Sequence, residues 1–107
     1  MITQVRAYVR QNLRDPELGP SMIAAELAIS TRQLFRICAA NELSLTDWII
    51  SLRLDGTRND LSGGASPTQS IGAVGQRWGF KDATHFARRF RAAYGMLPSQ
   101  WRAHAAN

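Results

Sequence analysis

The sequence predicts an all-α fold of about seven helices. Apolar residues recur at spacings of three and four along nearly the whole chain, and no segment shows the sustained two-residue alternation of a strand. Residues suited to begin or end a helix separate the periodic segments, notably Ser30, Ser70, Asp82 and Gly95. The length of 107 residues suits one compact domain, or two very small units that share a framework.

Three helices are predicted in the first part of the chain. The first begins at Ile2 and ends near Asp15-Pro16. Ser21 is the expected N-cap of a short second helix, and a third helix extends from its N-cap Ser30 to about Ala40. The residues expected to be buried in these helices are Val5, Val9, Leu13, Met22, Ile23, Leu27, Leu34, Ile37 and Cys38.

The fourth predicted helix is the longest and joins the two halves of the chain. Its N-cap is either Ser44 or Thr46, and its apolar periodicity extends to Leu61. A length of about 16 residues at about 1.5 Å each gives about 24 Å. Gly56 lies inside this helix, where glycine costs about 1 kcal/mol relative to alanine.

Residues 62–69 have no apolar periodicity and predict a loop. This loop is the candidate boundary between two units, residues 1–61 and residues 70–107, which we expect to form one domain together. The second unit predicts a fifth, a sixth and a last short helix, whose capping or first residues are Ser70, Asp82 and either Pro98 or Ser99.

A repeat relates the two units. The pattern of residues 23–30 returns at residues 74–81, an offset of 51, and Leu34-x-Arg36-x-Cys38 returns as Phe86-x-Arg88-x-Phe90, an offset of 52. Each copy reads as a short helix, a tight turn and a longer helix, which is the layout of a helix–turn–helix. Two copies in register predict two helix–turn–helix units joined by the long fourth helix.

Charge is distributed unevenly along the chain. The net charge is +5, from 13 basic and 8 acidic side chains. Residues 1–76 hold seven Arg and seven acidic residues, whereas residues 77–107 hold six basic residues against Asp82 alone. A local positive field predicts an anionic partner, nucleic acid before a membrane surface.

Composition argues against several other classes of protein. The apolar runs are too short for a membrane span, and charge interrupts the N-terminal segment too often for a secretory signal. The single cysteine, Cys38, allows no intrachain disulfide and fits a reducing, cytoplasmic compartment. His85 and His104 are 19 residues apart and have no acidic or Cys cluster at metal-ligand spacing. We therefore expect no enzyme, no metal and no cofactor.

The most specific motifs lie in the second unit. They are the Gly79-Phe80 turn, the Phe86-x-Arg88-x-Phe90 helix, and the segment Tyr94-Gly95-x-x-Pro98-x-x-Trp101-Arg102. With these motifs, residues 20–102 resemble the C-terminal DNA-binding domain of the AraC/XylS family of bacterial transcription regulators, and residues 2–16 resemble its leading helix.

The resemblance implies a homeodomain-like pair of helix–turn–helix units that binds double-stranded DNA. It also implies a transcription regulator, in the first place an activator that contacts RNA polymerase, with a repressor as the open alternative. An effector would act only through a separate domain outside these residues.

Base contacts are expected from both recognition helices. In the first unit the resemblance assigns them to Thr31, Arg32, Phe35 and Arg36. Arg32 and Arg36 share a helix face, and an arginine pairs bidentately with a guanine edge. Phe35 could lie on a thymine methyl group, or be a core residue if the helix is rotated. In the second unit the corresponding residues are Ala83, Thr84, Ala87 and Arg88.

Phosphate contacts are expected mainly from the second unit. Arg88 could touch either a base or a phosphate, and the remaining phosphate contacts are assigned to Arg77, Lys81, Arg89 and Arg91. Two recognition helices about 34 Å apart would enter successive major grooves on one side of the duplex. The alternative function is a small basic helical adaptor that binds an acidic protein surface.

Overall fold

The computed structural model describes residues 1–64 and 69–105 of the chain. These residues form seven α-helices and no strand, which confirms the all-α prediction. The helices are α1 (Ile2–Gln11), α2 (Pro20–Glu26), α3 (Thr31–Ala40), α4 (Leu45–Asn59), α5 (Ile71–Arg77), α6 (Ala83–Tyr94) and α7 (Pro98–Ala105).

Two helix boundaries differ from the prediction. Helix α1 ends at Gln11 because Asn12 leaves the helical conformation, and its side chain donates to the carbonyl oxygen of Tyr8 at 2.9 Å. Leu13 therefore lies in the following turn, although it still packs against the core. The N-cap of α2 is Gly19 rather than Ser21, because Pro20 takes the first helical position.

The other predicted caps are confirmed. The side chain of Ser30 accepts a hydrogen bond from the backbone N–H of Gln33 at 3.0 Å, and Ser70 caps α5 in the same way. The Asp82 carboxylate accepts from the backbone N–H groups of Thr84 and His85 at 2.8 and 3.3 Å. Helix α6 stops at Gly95, whose φ of 83° lies in the left-handed region that favours glycine.

The two predicted turns share one hydrogen-bond pattern. The N–H of Ile29 donates to the carbonyl oxygen of Ala24 at 3.0 Å, and the N–H of Phe80 donates to that of Gly75 at 3.0 Å. The central turn residues, Ala28 and Gly79, both have positive φ, at 56° and 95°. The sequence repeat therefore corresponds to a structural repeat.

Helix α4 joins the two units. Ser44 rather than Thr46 is its N-cap, without a side-chain cap bond. Its 15 residues give a length of about 22 Å. A π-helical turn, Asp60–Gly64, follows, in which the chain kinks at Gly63, whose φ of 143° is not helical. The turn reaches into the predicted loop, whose residues 65–68 lie outside the described part.

Each unit has its own hydrophobic core, and α4 contributes to both. The first core is formed by α1, α2, α3 and the start of α4, and contains Val5, Val9, Leu18, Ile23, Ala24, Leu34, Cys38, Leu45 and Ile49. The second is formed by the end of α4, the π-helical turn, α5 and α6, and contains Leu54, Leu61, Val74, Phe80, Phe86 and Phe90.

Gly56 is a contact residue, which the sequence did not predict. A Cβ atom built there would lie 2.5 Å from three ring atoms of Trp78, so α4 and the Trp78 indole meet at the glycine backbone. The indole Nε1–H donates to the Asp60 carboxylate at 2.8 Å, which fixes the ring in this place. Glycine is therefore required by packing at this position, where helix propensity alone favours alanine.

Candidate nucleic-acid interface

Helix α3 exposes all four of its predicted contact residues. Thr31, Arg32, Phe35 and Arg36 are exposed, while Leu34 faces the first core. Phe35 is 48% exposed, so the alternative of a rotated helix with Phe35 in the core is wrong. The face combines two guanidinium groups with an apolar ring, a set that suits guanine edges and thymine methyl groups in a major groove.

Helix α6 presents a face with shorter side chains. Ala83, Thr84 and Arg88 are exposed and Ala87 is half-buried, while the opposite face buries Phe86 and Phe90 in the second core. The short side chains of Ala83, Thr84 and Ala87 can contact methyl groups or phosphates only where the helix lies close to the DNA. Among the four residues, Arg88 alone is long enough to reach a base edge when the helix lies further away.

Three of the four cations assigned to phosphates form ion pairs across the molecule. Arg77 pairs with Asp60 at 3.2 Å, Lys81 with Glu17 at 2.7 Å and Arg89 with Asp47 at 3.6 Å. All three carboxylates come from the neutral N-terminal segment of residues 1–76. The positive excess of residues 77–107 is therefore partly offset in space, where acidic groups distant in sequence lie beside it.

Lys81 and Arg91 remain well placed for a phosphate. The Lys81–Glu17 pair is highly exposed, and an exposed pair contributes only about 0–1 kcal/mol, so the amine can exchange its partner. Within residues 1–64 and 69–105, no carboxylate oxygen lies within 4.0 Å of the cationic nitrogens of Arg88 or Arg91.

Arg77, another of the cations assigned to phosphates, makes two structural contacts. Its guanidinium donates to the Asp60 carboxylate at 3.2 Å and to the Gln69 side-chain oxygen at 2.8 Å. The same carboxylate accepts from Trp78 at 2.8 Å. Arg77 thus holds the π-helical turn against α5, a role that its sequence position did not reveal.

A second basic surface was missed by the charge count. Arg6 and Arg10 lie over the ring of Trp48 at 5.6 and 5.5 Å, and Arg14 lies over Trp78 at 4.3 Å. Each distance permits a cation–π interaction, which fixes Arg6 and Arg10 on α1 and Arg14 in the turn that follows it. The four-residue spacing of the arginines in a segment without acidic residues was the signal for this surface.

The described residues offer no groups suited to metal binding. Among residues 1–64 and 69–105, no three or more His, Cys, Asp or Glu side chains are grouped so that they could hold a metal ion. Burial raises the pKa of the Cys38 thiol, against the opposing effect of the Arg6 charge, so the reactive thiolate is disfavoured. In the same two segments, no helix is long and apolar enough to cross a membrane.

Two helix–turn–helix units with exposed recognition helices define the class of this chain, a helix–turn–helix nucleic-acid-binding domain. Residues 23–104 match the family described as "Helix-turn-helix domain", of the AraC type. The chain belongs to this AraC-type family, whose members are DNA-binding transcription regulators.

Known relatives agree with this assignment. The transcriptional activator NphR of Rhodococcus sp. is 31% identical over 101 residues, which cover 94% of this chain and 29% of that protein. The chain thus spans less than a third of the length of this relative.

Solved structures share the fold. A probable AraC family transcriptional regulator from Rhodopseudomonas palustris is 29% identical, with a TM-score of 0.81 over 96% of this chain and 94% of that chain. The DNA-binding domain of AdpA, solved with a target DNA, is 22% identical and has a TM-score of 0.80 over 95% and 89% of the two chains.

Proposed function

We propose that this domain binds double-stranded DNA at specific sequences by placing α3 and α6 in successive major grooves, and thereby regulates transcription. The observation that carries the proposal is the structural repeat: two turns with matching hydrogen bonds, each followed by a helix with an exposed polar face. The described part of the molecule is 46 Å long and about half as wide. That length accommodates two units about 34 Å apart, one turn of DNA.

The two units have different roles in this proposal. Helix α3 supplies sequence readout through Arg32 and Arg36, with Phe35 on a thymine methyl group. Around α6, the cations Arg88 and Arg91 supply electrostatic attachment to phosphates, assisted by Lys81 and Arg89 once these exchange their carboxylate partners. Residues 1–61 and 70–107 act as two reading units of one domain.

The regulatory direction we propose is activation, supported by the name of the Rhodococcus relative. Activation would require a contact with RNA polymerase. An effector would act through a separate domain outside these residues, and the regulator would work in the bacterial cytoplasm, on the nucleoid. The family of regulators to which the chain belongs supports a non-enzymatic role.

The test selects bound duplexes from a random pool and then measures affinity by fluorescence anisotropy at several salt concentrations. We expect a site with two short boxes about one turn apart. Arg36→Ala should weaken binding to the selected duplex about 6- to 150-fold, corresponding to about 1–3 kcal/mol, with little change on a scrambled duplex. Arg91→Ala should weaken both duplexes and reduce the salt slope by about 0.9.

Arg58→Ala is the matched control, because Arg58 stacks on Tyr94 and pairs with Asp55 at 3.9 Å. It should leave both the sequence preference and the salt slope unchanged. Equal affinity of the wild-type domain for selected and scrambled duplexes would overturn the proposal. Tighter binding to polyglutamate than to duplex DNA would favour the adaptor alternative.

A further inference from the structure

Arg53 is a buried arginine in the middle of α4, between the two units. It is 8% exposed. Its Nε–H donates to the carbonyl oxygen of Leu13 at 3.0 Å, and its Nη2–H donates to that of Asp15 at 2.7 Å. Both acceptors lie in the loop between α1 and α2, so the planar guanidinium fixes this loop to the linker helix.

The other side of Arg53 faces the second unit. A Cβ atom built on Gly79 would lie 2.8–3.0 Å from the guanidinium atoms, so the backbone of the second turn lies directly against Arg53. The exposed Lys81–Glu17 ion pair, at 2.7 Å, joins the same turn to the same loop. One buried side chain thus contacts a segment of each unit.

The two units face each other across a groove at this place. A groove of about 450 Å³ separates them here, with Pro16 and Pro20 on one wall, and Lys81 and His85 on the other. Arg53 lines this groove and touches both sides. Because the guanidinium lies between the first loop and the second turn, its size and planar shape set how closely the two segments approach.

The two segments lead directly to the DNA-reading helices. The loop held by Arg53 precedes α2 and its partner α3, and the turn against Arg53 precedes α6. Displacement of either segment would move one recognition helix relative to the other. We propose that Arg53 is a positioning residue that sets the separation of α3 and α6, and therefore the spacing between the two DNA boxes that the domain accepts. This inference rests on the proposed function, since spacing matters only if both helices read one duplex.

The experiment measures the affinity of the domain for the selected duplex and for duplexes with one or two base pairs inserted or deleted between the boxes. Each added base pair moves the second box about 3.4 Å along the axis and rotates it by about 34–36°. For the wild-type domain we expect a change of two base pairs to weaken binding about tenfold or more. Arg53→Lys keeps the charge but loses the two-pronged contact. We expect it to reduce that spacing penalty to about threefold or less.

Two controls separate positioning from general stability. Arg58→Lys makes the same chemical change on the same helix, away from the groove, and should keep the wild-type spacing penalty. Gly79→Ala displaces Arg53 from the opposite side and provides the same test should Arg53→Lys not fold. Alanine already occupies the equivalent position of the first turn, as Ala28 with a φ of 56°. Gly95→Ala is its matched control, because Gly95 also has a positive φ, of 83°, and nothing lies within 4 Å of its built Cβ.

The possible outcomes are distinct. A relaxed spacing preference in Arg53→Lys and Gly79→Ala, with both controls unchanged, supports the inference. An unchanged spacing penalty in these variants overturns the inference. This includes the case in which affinity falls by the same factor for every duplex, because that is the result expected of a residue that only stabilises the fold. A wild-type domain that prefers the selected site but ignores spacing overturns the inference alone. A wild-type domain that binds selected and scrambled sites equally overturns the proposed function and this inference together.

Discussion

The substitution Gly56→Ala separates helix propensity from tertiary packing, because the two predict opposite signs. In an isolated helix, alanine is more stable than glycine by about 1 kcal/mol. In the folded domain the new Cβ would lie 2.5 Å from three carbon atoms of the Trp78 ring, so the ring or the helix must shift.

The size of the effect depends on what moves. Forcing an additional carbon into a packed contact costs about 1–3 kcal/mol. A displaced Trp78 also loses its Nε1 hydrogen bond to the Asp60 carboxylate, and a bond to a charged group contributes about 1.5–3 kcal/mol. After subtraction of the gain in helix propensity, we expect Gly56→Ala to lower the free energy of unfolding by about 1.5–5 kcal/mol.

The assay is urea denaturation followed by circular dichroism at a wavelength that reports helix content. Gly72→Ala is the control, because Gly72 lies in α5 with nothing within 4 Å of its built Cβ, and alanine there should stabilise by about 0.5–1 kcal/mol. In a Trp78→Leu background, Gly56→Ala should lose most of its cost. An increase in the unfolding free energy of Gly56→Ala in the wild-type background would refute the argument.

Three further substitutions test other contacts by the same denaturation assay. Gly75→Ala builds a Cβ 2.6 Å from the Phe86 ring and should destabilise by about 1–2 kcal/mol, and an unchanged midpoint would contradict this close approach. Asp82→Ala removes the carboxylate that accepts two backbone N–H groups at the start of α6 and should cost about 1 kcal/mol, whereas Asp82→Asn should cost less. Lys81→Ala breaks an exposed ion pair with Glu17 and should change the unfolding midpoint little. The same substitution should weaken DNA binding at low salt. A large loss of stability would assign Lys81 a structural role instead.

Local signals predicted much of the secondary structure. Ser30, Ser70 and Asp82 were correctly identified as N-caps, and Gly95 as a helix end, because caps depend on hydrogen bonds within a few residues. Where two local signals compete, the sequence was less informative. At the start of α2, Pro20 takes the first helical position and moves the cap to Gly19, although Ser21 is the better capping residue in isolation.

The candidate interface was also predicted in part. The exposed face of α3 follows from the three- and four-residue spacing of its buried residues, because helical geometry fixes which side chains share a face. The acidic partners of the basic side chains could not be predicted from the sequence. Lys81 and Glu17 are 64 residues apart in sequence, and only the packing of the second turn beside the first loop brings them together.

The sequence by itself determined the helices, the repeat of two helix–turn–helix units, and the faces that could meet DNA, since all three depend on periodicity and short-range hydrogen bonds. The tertiary structure alone decided how the units meet. It placed Arg53 between the first loop and Gly79, required glycine at position 56, and joined the acidic groups of the first half to the cations of the second. The physical reason is that these contacts connect residues far apart in the chain, so their energies depend on the relative position of whole helices.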